Sequence, residues 1–217
     1  MKKVEEAKTN SVIPKKLFAN DEIILVAGST WNKDVDVILE AYAKYKKNNS
    51  ANLRLIIVPH EPTLKNIEYI SNKISNTILL SEILELNNIF SANLTGKIII
   101  VDSIGKLLKL YGIADAAYIG GAFGVGVHSI TEPAGYGIPL VTGPNCYNSP
   151  DTQELSEQNA LTIINNSESL YQWFVRINEK TYCEKYGAIA KNYIESNCGA
   201  TVKITNKIIL DLIKENI

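Results

Sequence analysis

"AAYIGGAFGVGVHSITEPAGYGIPLVTG" (residues 116–143) holds seven of the chain's 13 glycines. One apolar run, AAYI, enters the stretch, and another, IPLVTG, leaves it. Both runs are solid rather than alternating, the pattern of strands buried on both faces of a parallel sheet. Between them lie a glycine-rich turn and SITEPAGYG, which reads as a short helix. Strand, turn, helix and strand make one βαβ unit, the crossover that parallel strands require.

The same unit recurs on either side. EIILVAGST (22–30) is an apolar run, followed by a segment with Val35, Ile38, Leu39 and Tyr42 at helical spacing. LRLIIVPH (53–60) is a second strand, and a helix is expected from near Pro62 through Ile67 and Ile70 to Ile74. TILL (77–80) and KIIIVD (97–102) follow, then a helix from Ile104. Beyond the glycine stretch, a helix near Asp151 precedes the last strand, ALTIIN (160–165). From Ser167 onward the chain reads as helical, with a break at Asn197-Cys198-Gly199. Residues 81–96 fit no single period. Residues 1–20 are polar and read as a linker or arm, leaving 21–217 as one domain. The alternation predicts an α/β, Rossmann-like, doubly wound parallel sheet of about six strands.

Composition narrows the function. With 46% hydrophobic residues, 21% charged residues and a net charge of −1, the 217-residue chain fits a soluble globular protein. It lacks the basic footprint of a nucleic-acid binder. Three dispersed cysteines point to a reducing compartment. Two histidines and no cysteine cluster give no zinc pattern, and neither a metal nor a cofactor is expected. No apolar run approaches the ~20 residues of a membrane span, and the first residues do not resemble a signal peptide.

Ligands of doubly wound sheets sit at the carboxyl ends of strands. That draws attention to Ser29-Thr30, Pro59-His60-Glu61, Asp102-Ser103, the glycine stretch and Gly143-Pro144-Asn145. The glycines serve tight turning and close packing, or they let an anion approach backbone N–H groups at a helix start. They are not a dinucleotide fingerprint, because Ser129 stands where a third glycine would follow Gly124 and Gly126. Glu132 lies just inside the helix that Ser129 is placed to cap; it either complements the helix dipole or accepts ribose hydroxyls.

GGAFGVGVHSITEPAGYGIPLVTGPN, preceded by DSIGKLLKLYGIADAAYIGG, resembles the 3-deoxy-D-manno-octulosonic acid (Kdo) transferases of lipopolysaccharide biosynthesis. LVAGSTW, IIVPHEP and the late NCGAT are similar to the same family, so the likeness runs from about Asp21 to the end. It implies one lobe, the C-terminal donor-binding one, of a two-lobed GT-B glycosyltransferase. The donor is then CMP-Kdo and the acceptor a lipid A precursor. The acceptor lobe, with its catalytic base and membrane contact, is expected outside this chain. The full enzyme is then expected at the cytoplasmic face of the bacterial inner membrane. The chain alone is expected to be soluble and inactive.

Carried over by resemblance, Gly121 opens the donor cleft, and Gly124 and Gly126 let the loop pass near the CMP phosphate. Ser129 marks the phosphate position, Glu132 the ribose-binding acid, and Ile104 with Gly105 the contacts to cytosine. Ser29 and Thr30 face the cleft. Many family members have an arginine in the segment where this chain has Pro59-His60-Glu61-Pro62, so His60 becomes the replacement cation. His128 is either a ligand or a residue that orients the loop. Three alternatives stay open. Glu132 to Pro139 also fits retaining sugar-nucleotide transferases, although Gly124 stands where they carry another glutamate. A sugar-nucleotide epimerase shares the fold, and a solitary nucleotide-binding module needs no chemistry.

Overall fold

The computed structural model of this protein describes residues 2–49 and 52–199. Seven strands form one sheet: β1 (Glu22–Thr30), β2 (Asn52–Pro59), β3 (Thr77–Leu79), β4 (Ile98–Ile100), β5 (Ala116–Ile119), β6 (Leu140–Thr142) and β7 (Leu161–Ile163). Their order is β3-β4-β2-β1-β5-β6-β7, and every pairing is parallel. All seven apolar runs in the sequence are strands, one more than the expected six.

Solid apolar strands follow from a sheet covered on both sides. Along β1, Ile24 and Val26 enter one hydrophobic cluster while Leu25 and Ala27 enter the other. One face is covered by α2 (Asn32–Asn48), α3 (Leu64–Lys73) and α8 (Ser167–Arg176), which contribute Val35, Ile38, Ile70, Trp173 and Phe174. The other face is covered by α4 (Leu80–Leu84), α5 (Leu107–Leu110), α6 (Thr131–Ala134), α7 (Pro150–Glu157) and α9 (Lys180–Asn197).

Three local readings change. The first residues form a helix, α1 (Lys2–Thr9), which buries Val4 and Ala7, and Ile13 and Phe18 join the core. So few apolar side chains leave little periodicity to detect. The helix expected from Ile104 starts at Leu107, because Gly105 takes φ +76° in a turn. The helix expected from Ser129 starts at Thr131 with Ile130 as its N-cap; Ser129 Oγ lies 3.4 Å from Thr131 Oγ1 and caps nothing. Residues 200–201 of the NCGAT motif, and the final helix expected after it, lie outside the described residues.

At the amino ends of the strands, Arg54 is closed off. It binds Glu22 through Nε and Nη2 (3.2 and 2.5 Å) and the carbonyls of Leu94 and Lys97 through Nη1 (2.5 and 2.6 Å). The guanidinium thereby ties β1, β2 and the chain before β4 together.

Candidate functional site

The sheet reverses winding at its centre. From β1 the chain proceeds to β2 on one side, and later β5 is laid on the other. This switch point is where open parallel sheets leave a crevice. The register of β1 on β2 breaks between Gly28 and Thr30, and Ser29 takes φ +52°. The break turns Ser29 and Thr30 in different directions. Thr30 is buried and used by the fold: its hydroxyl faces the Val58 carbonyl at 3.4 Å, and its own carbonyl accepts the His60 amide at 3.0 Å.

Asp34, in the first turn of α2, organises the crevice floor. Its carboxylate is buried and accepts three donors: the Trp31 amide (2.9 Å), the Tyr118 hydroxyl (2.7 Å) and the Gly121 amide (2.9 Å). One side chain thus fastens the start of α2 to the end of β5 and to the glycine loop. Nothing in the sequence around Asp34 singles it out, because the Tyr118 and Gly121 donors are brought to it by the fold. Asp36, two positions on, is exposed and engages Lys73 (2.8 Å) and the Tyr69 hydroxyl (2.8 Å). The two aspartates therefore do not converge on one ion.

The glycine loop is bonded to itself. The Gly124 and Gly126 amides both donate to the Gly121 carbonyl (2.9 and 3.1 Å), and the His128 amide donates to Gly120 (3.2 Å). Gly121 at φ +97° and Gly126 at φ +134° need glycine conformationally. Gly124 has no such requirement; a Cβ there would meet nothing nearer than the Gly121 carbonyl at 3.5 Å. The glycine amides therefore do not point at a ligand. Among the described residues of the loop, the amides of Ala122, Phe123, Val125 and Val127 have no acceptor either, but the consecutive run without one is Ser129 through Glu132, at the start of α6. α6 has four residues, so its macrodipole is slight, and any anion affinity rests on these orphan donors.

Above the floor lies an aromatic group. Trp31 and His128 are nearly coplanar, at 13°, and joined edge to edge by a 2.9 Å hydrogen bond from indole Nε1–H to His128 Nε2. His60 stacks across both, with ring centroids 4.8 Å from Trp31 and 4.2 Å from His128. Each ring comes from a different strand end: β1, β2 and β5. Burial lowers the His128 pKa, the neighbouring His60 lowers it further, and Asp34 opposes both. Trp31 was visible in the sequence only as the last letter of LVAGSTW.

Two cavities flank this group. One, of about 170 Å³, is lined by Ser29, His60, Ser103, Ile104, Gly105 and Lys106. It brings together four of the candidate donor-site residues, Ser29, His60, Ile104 and Gly105. The other, of about 350 Å³, is lined by Thr30, Trp31, Lys33, Glu61, Asn66 and Gly124, among others. Gly121, Gly126, His128, Ser129 and Glu132 line neither cavity but belong to the loop beside them. Glu132 is exposed, and its charge helps push Tyr136 up to about 12, behind burial.

No family model matches the chain. It is 33% identical over 135 residues to the 3-deoxy-D-manno-octulosonic acid transferase of Aquifex aeolicus, covering 62% of this chain and 35% of that protein. It is 28% identical over 206 residues to the enzyme of the same name from Haemophilus influenzae, covering 91% of this chain and 45% of that protein. The chain therefore spans less than half the length of these two curated relatives. Among solved structures it superposes on the C-terminal CMP-Kdo binding domain of WaaA from Acinetobacter baumannii with a TM-score of 0.71 at 20% identity. That superposition covers 89% of this chain and 98% of that domain. The likeness to Kdo transferases read from the motifs holds along the chain, and the fold is that of one lobe of a GT-B glycosyltransferase.

Proposed function

We propose that this chain is the donor-binding lobe of a Kdo transferase and holds CMP-Kdo at the carboxyl edge of its sheet. The observation that carries the reading is the convergence at the β1/β5 switch point. The small cavity beside Ile104 and Gly105, the stacked histidines and the orphan amides of Ser129–Glu132 all open on one edge. Each fits one part of a nucleotide monophosphate. The cavity accepts a base against backbone groups. The amides, with His60 and Lys106 as cationic neighbours, accept a single phosphate. Glu132, exposed beside those amides, accepts ribose hydroxyls.

This assignment keeps Gly121 and Gly126 as shapers of the loop rather than as phosphate donors. The sugar acceptor, a lipid A precursor, and the catalytic base belong to another lobe of such an enzyme. That lobe would supply the contact with the inner membrane, at its cytoplasmic face. Among the described residues no helix is long and apolar enough to cross a membrane. Crystals soaked with CMP test the placement. The expected electron density has phosphate oxygens within hydrogen-bond reach of the Ser129–Glu132 amides and cytosine beside Ile104. A nucleotide bound in the larger cavity on the other side of Trp31 would overturn it.

A further inference from the structure

Trp31 has no place in the donor assignment above, yet it touches both histidines. His128 Nε2 receives the indole N–H at 2.9 Å, so that nitrogen carries no proton and the ring is neutral with hydrogen on Nδ1. Charging His128 would require breaking this bond. Gly121 permits the arrangement: a Cβ there would come within 2.8 Å of the His128 ring. His60 lies over the pair with its ring 4.2 Å from His128, and among the described residues neither of its ring nitrogens has a hydrogen-bond partner. Two imidazolium rings at that spacing repel strongly. One imidazolium over a neutral aromatic platform is favourable.

We propose that Trp31 is a positioning residue: it locks His128 as the neutral base of the stack, so that His60 alone takes up a proton when an anionic ligand binds. This rests on the donor-site reading for the identity of the anion, but not for the state of the histidines. The charged groups around the stack are few. Asp34 lies beneath His128 on α2; Lys33 and Glu61 line the cavity on the Trp31 side, and Lys106 lines the cavity on the His60 side. Glu132 follows on the histidine's own loop. Among the described residues none of these groups is hydrogen-bonded to a ring nitrogen of either histidine, whereas Trp31 is. The arrangement makes the cationic character of the site a one-proton property.

The test combines ¹⁵N NMR of the imidazole nitrogens with calorimetric CMP titrations between pH 6 and 8. In the ligand-free wild type, His128 should show the Nδ1–H tautomer throughout this range. The logarithm of CMP affinity should then fall with pH with a slope of about one proton. W31F keeps an aromatic ring and removes the donor. In it, His128 should become a tautomer mixture that titrates, and the slope should steepen beyond about one proton. H128Q guards against misfolding of the first variant. Its amide oxygen can accept the same indole N–H, so the one-proton slope should persist. An unchanged His128 tautomer in W31F, or loss of the pH dependence in H128Q, overturns the proposal. Absence of CMP binding at every pH would instead sink the donor-site reading, and the tautomer measurement would still decide the role of Trp31.

Discussion

Arg54 and His60 stand near opposite ends of β2 and are used in opposite ways. Arg54 is 5% exposed and directs its donors inward, to Glu22 and to the carbonyls of Leu94 and Lys97. His60 is exposed; only its backbone amide is bonded, to Thr30, and its ring is held by stacking. The amino edge of the sheet has spent its polar groups on the fold. The carboxyl edge keeps polar groups unspent: an imidazole, consecutive amides and an exposed carboxylate. A saturated group is a scaffold, because a ligand has nothing to gain from it. An unsatisfied group in a crevice is where binding energy remains available.

The largest effect should come from breaking the closed edge. Arg54→Ala leaves Glu22 and two carbonyls without their donor and should cost about 3–5 kcal/mol in urea unfolding. The folded fraction should keep its CMP affinity. A variant as stable as wild type would erase the distinction between the two ends.

A smaller effect, on binding alone, is expected at the open edge. Glu132→Ala should weaken CMP by about 1–3 kcal/mol in calorimetry, the scale of a lost charge-assisted hydrogen bond. Its melting temperature should stay near wild type, since Glu132 is exposed and caps no long helix. A large fall in melting temperature with unchanged affinity would move Glu132 to the scaffold.

The smallest effect is a pH dependence of stability. Burial holds His128 in the folded chain below its ordinary value of 6.5. The unfolded chain therefore binds more protons as pH falls, so this contribution is complete above about 6.5 and is lost on acidification. His128 is half-exposed, which limits the effect to a few tenths of a kcal/mol, on the order expected after solvent screening. Unfolding curves of wild type and H128Q should converge below pH 6.5 and separate above it. Parallel curves would show that the imidazole is not held neutral.

The fold was largely legible because a sheet buried on both faces turns every strand into an unbroken apolar word. TILL (77–80) and KIIIVD (97–102) could be read as strands with no knowledge of their neighbours. Helix starts were less legible where a backbone turn decided them. Gly105 and the residues around Ser129 look like helix beginnings in composition, but positive φ at the first and an Ile130 N-cap at the second shift both starts downstream. The site was half legible. His60, Ile104, Gly105 and Ser29 were found from their places after strands, and the fold gathers them into one cavity. Trp31 and Asp34 were not found as site residues. Their partners, His128, Tyr118 and Gly121, lie more than eighty positions away, and the pairing of β1 with β5 that joins them leaves no mark in the local sequence.

The central claim is that the carboxyl edge is a site for a cytidine monophosphate donor. Calorimetric titration with CMP, and with UDP in the presence and absence of magnesium, tests it most directly. The expected result is CMP binding that is indifferent to magnesium and tighter than that of UDP. Tighter, magnesium-dependent binding of UDP would contradict it and identify a lobe built for sugar diphosphates.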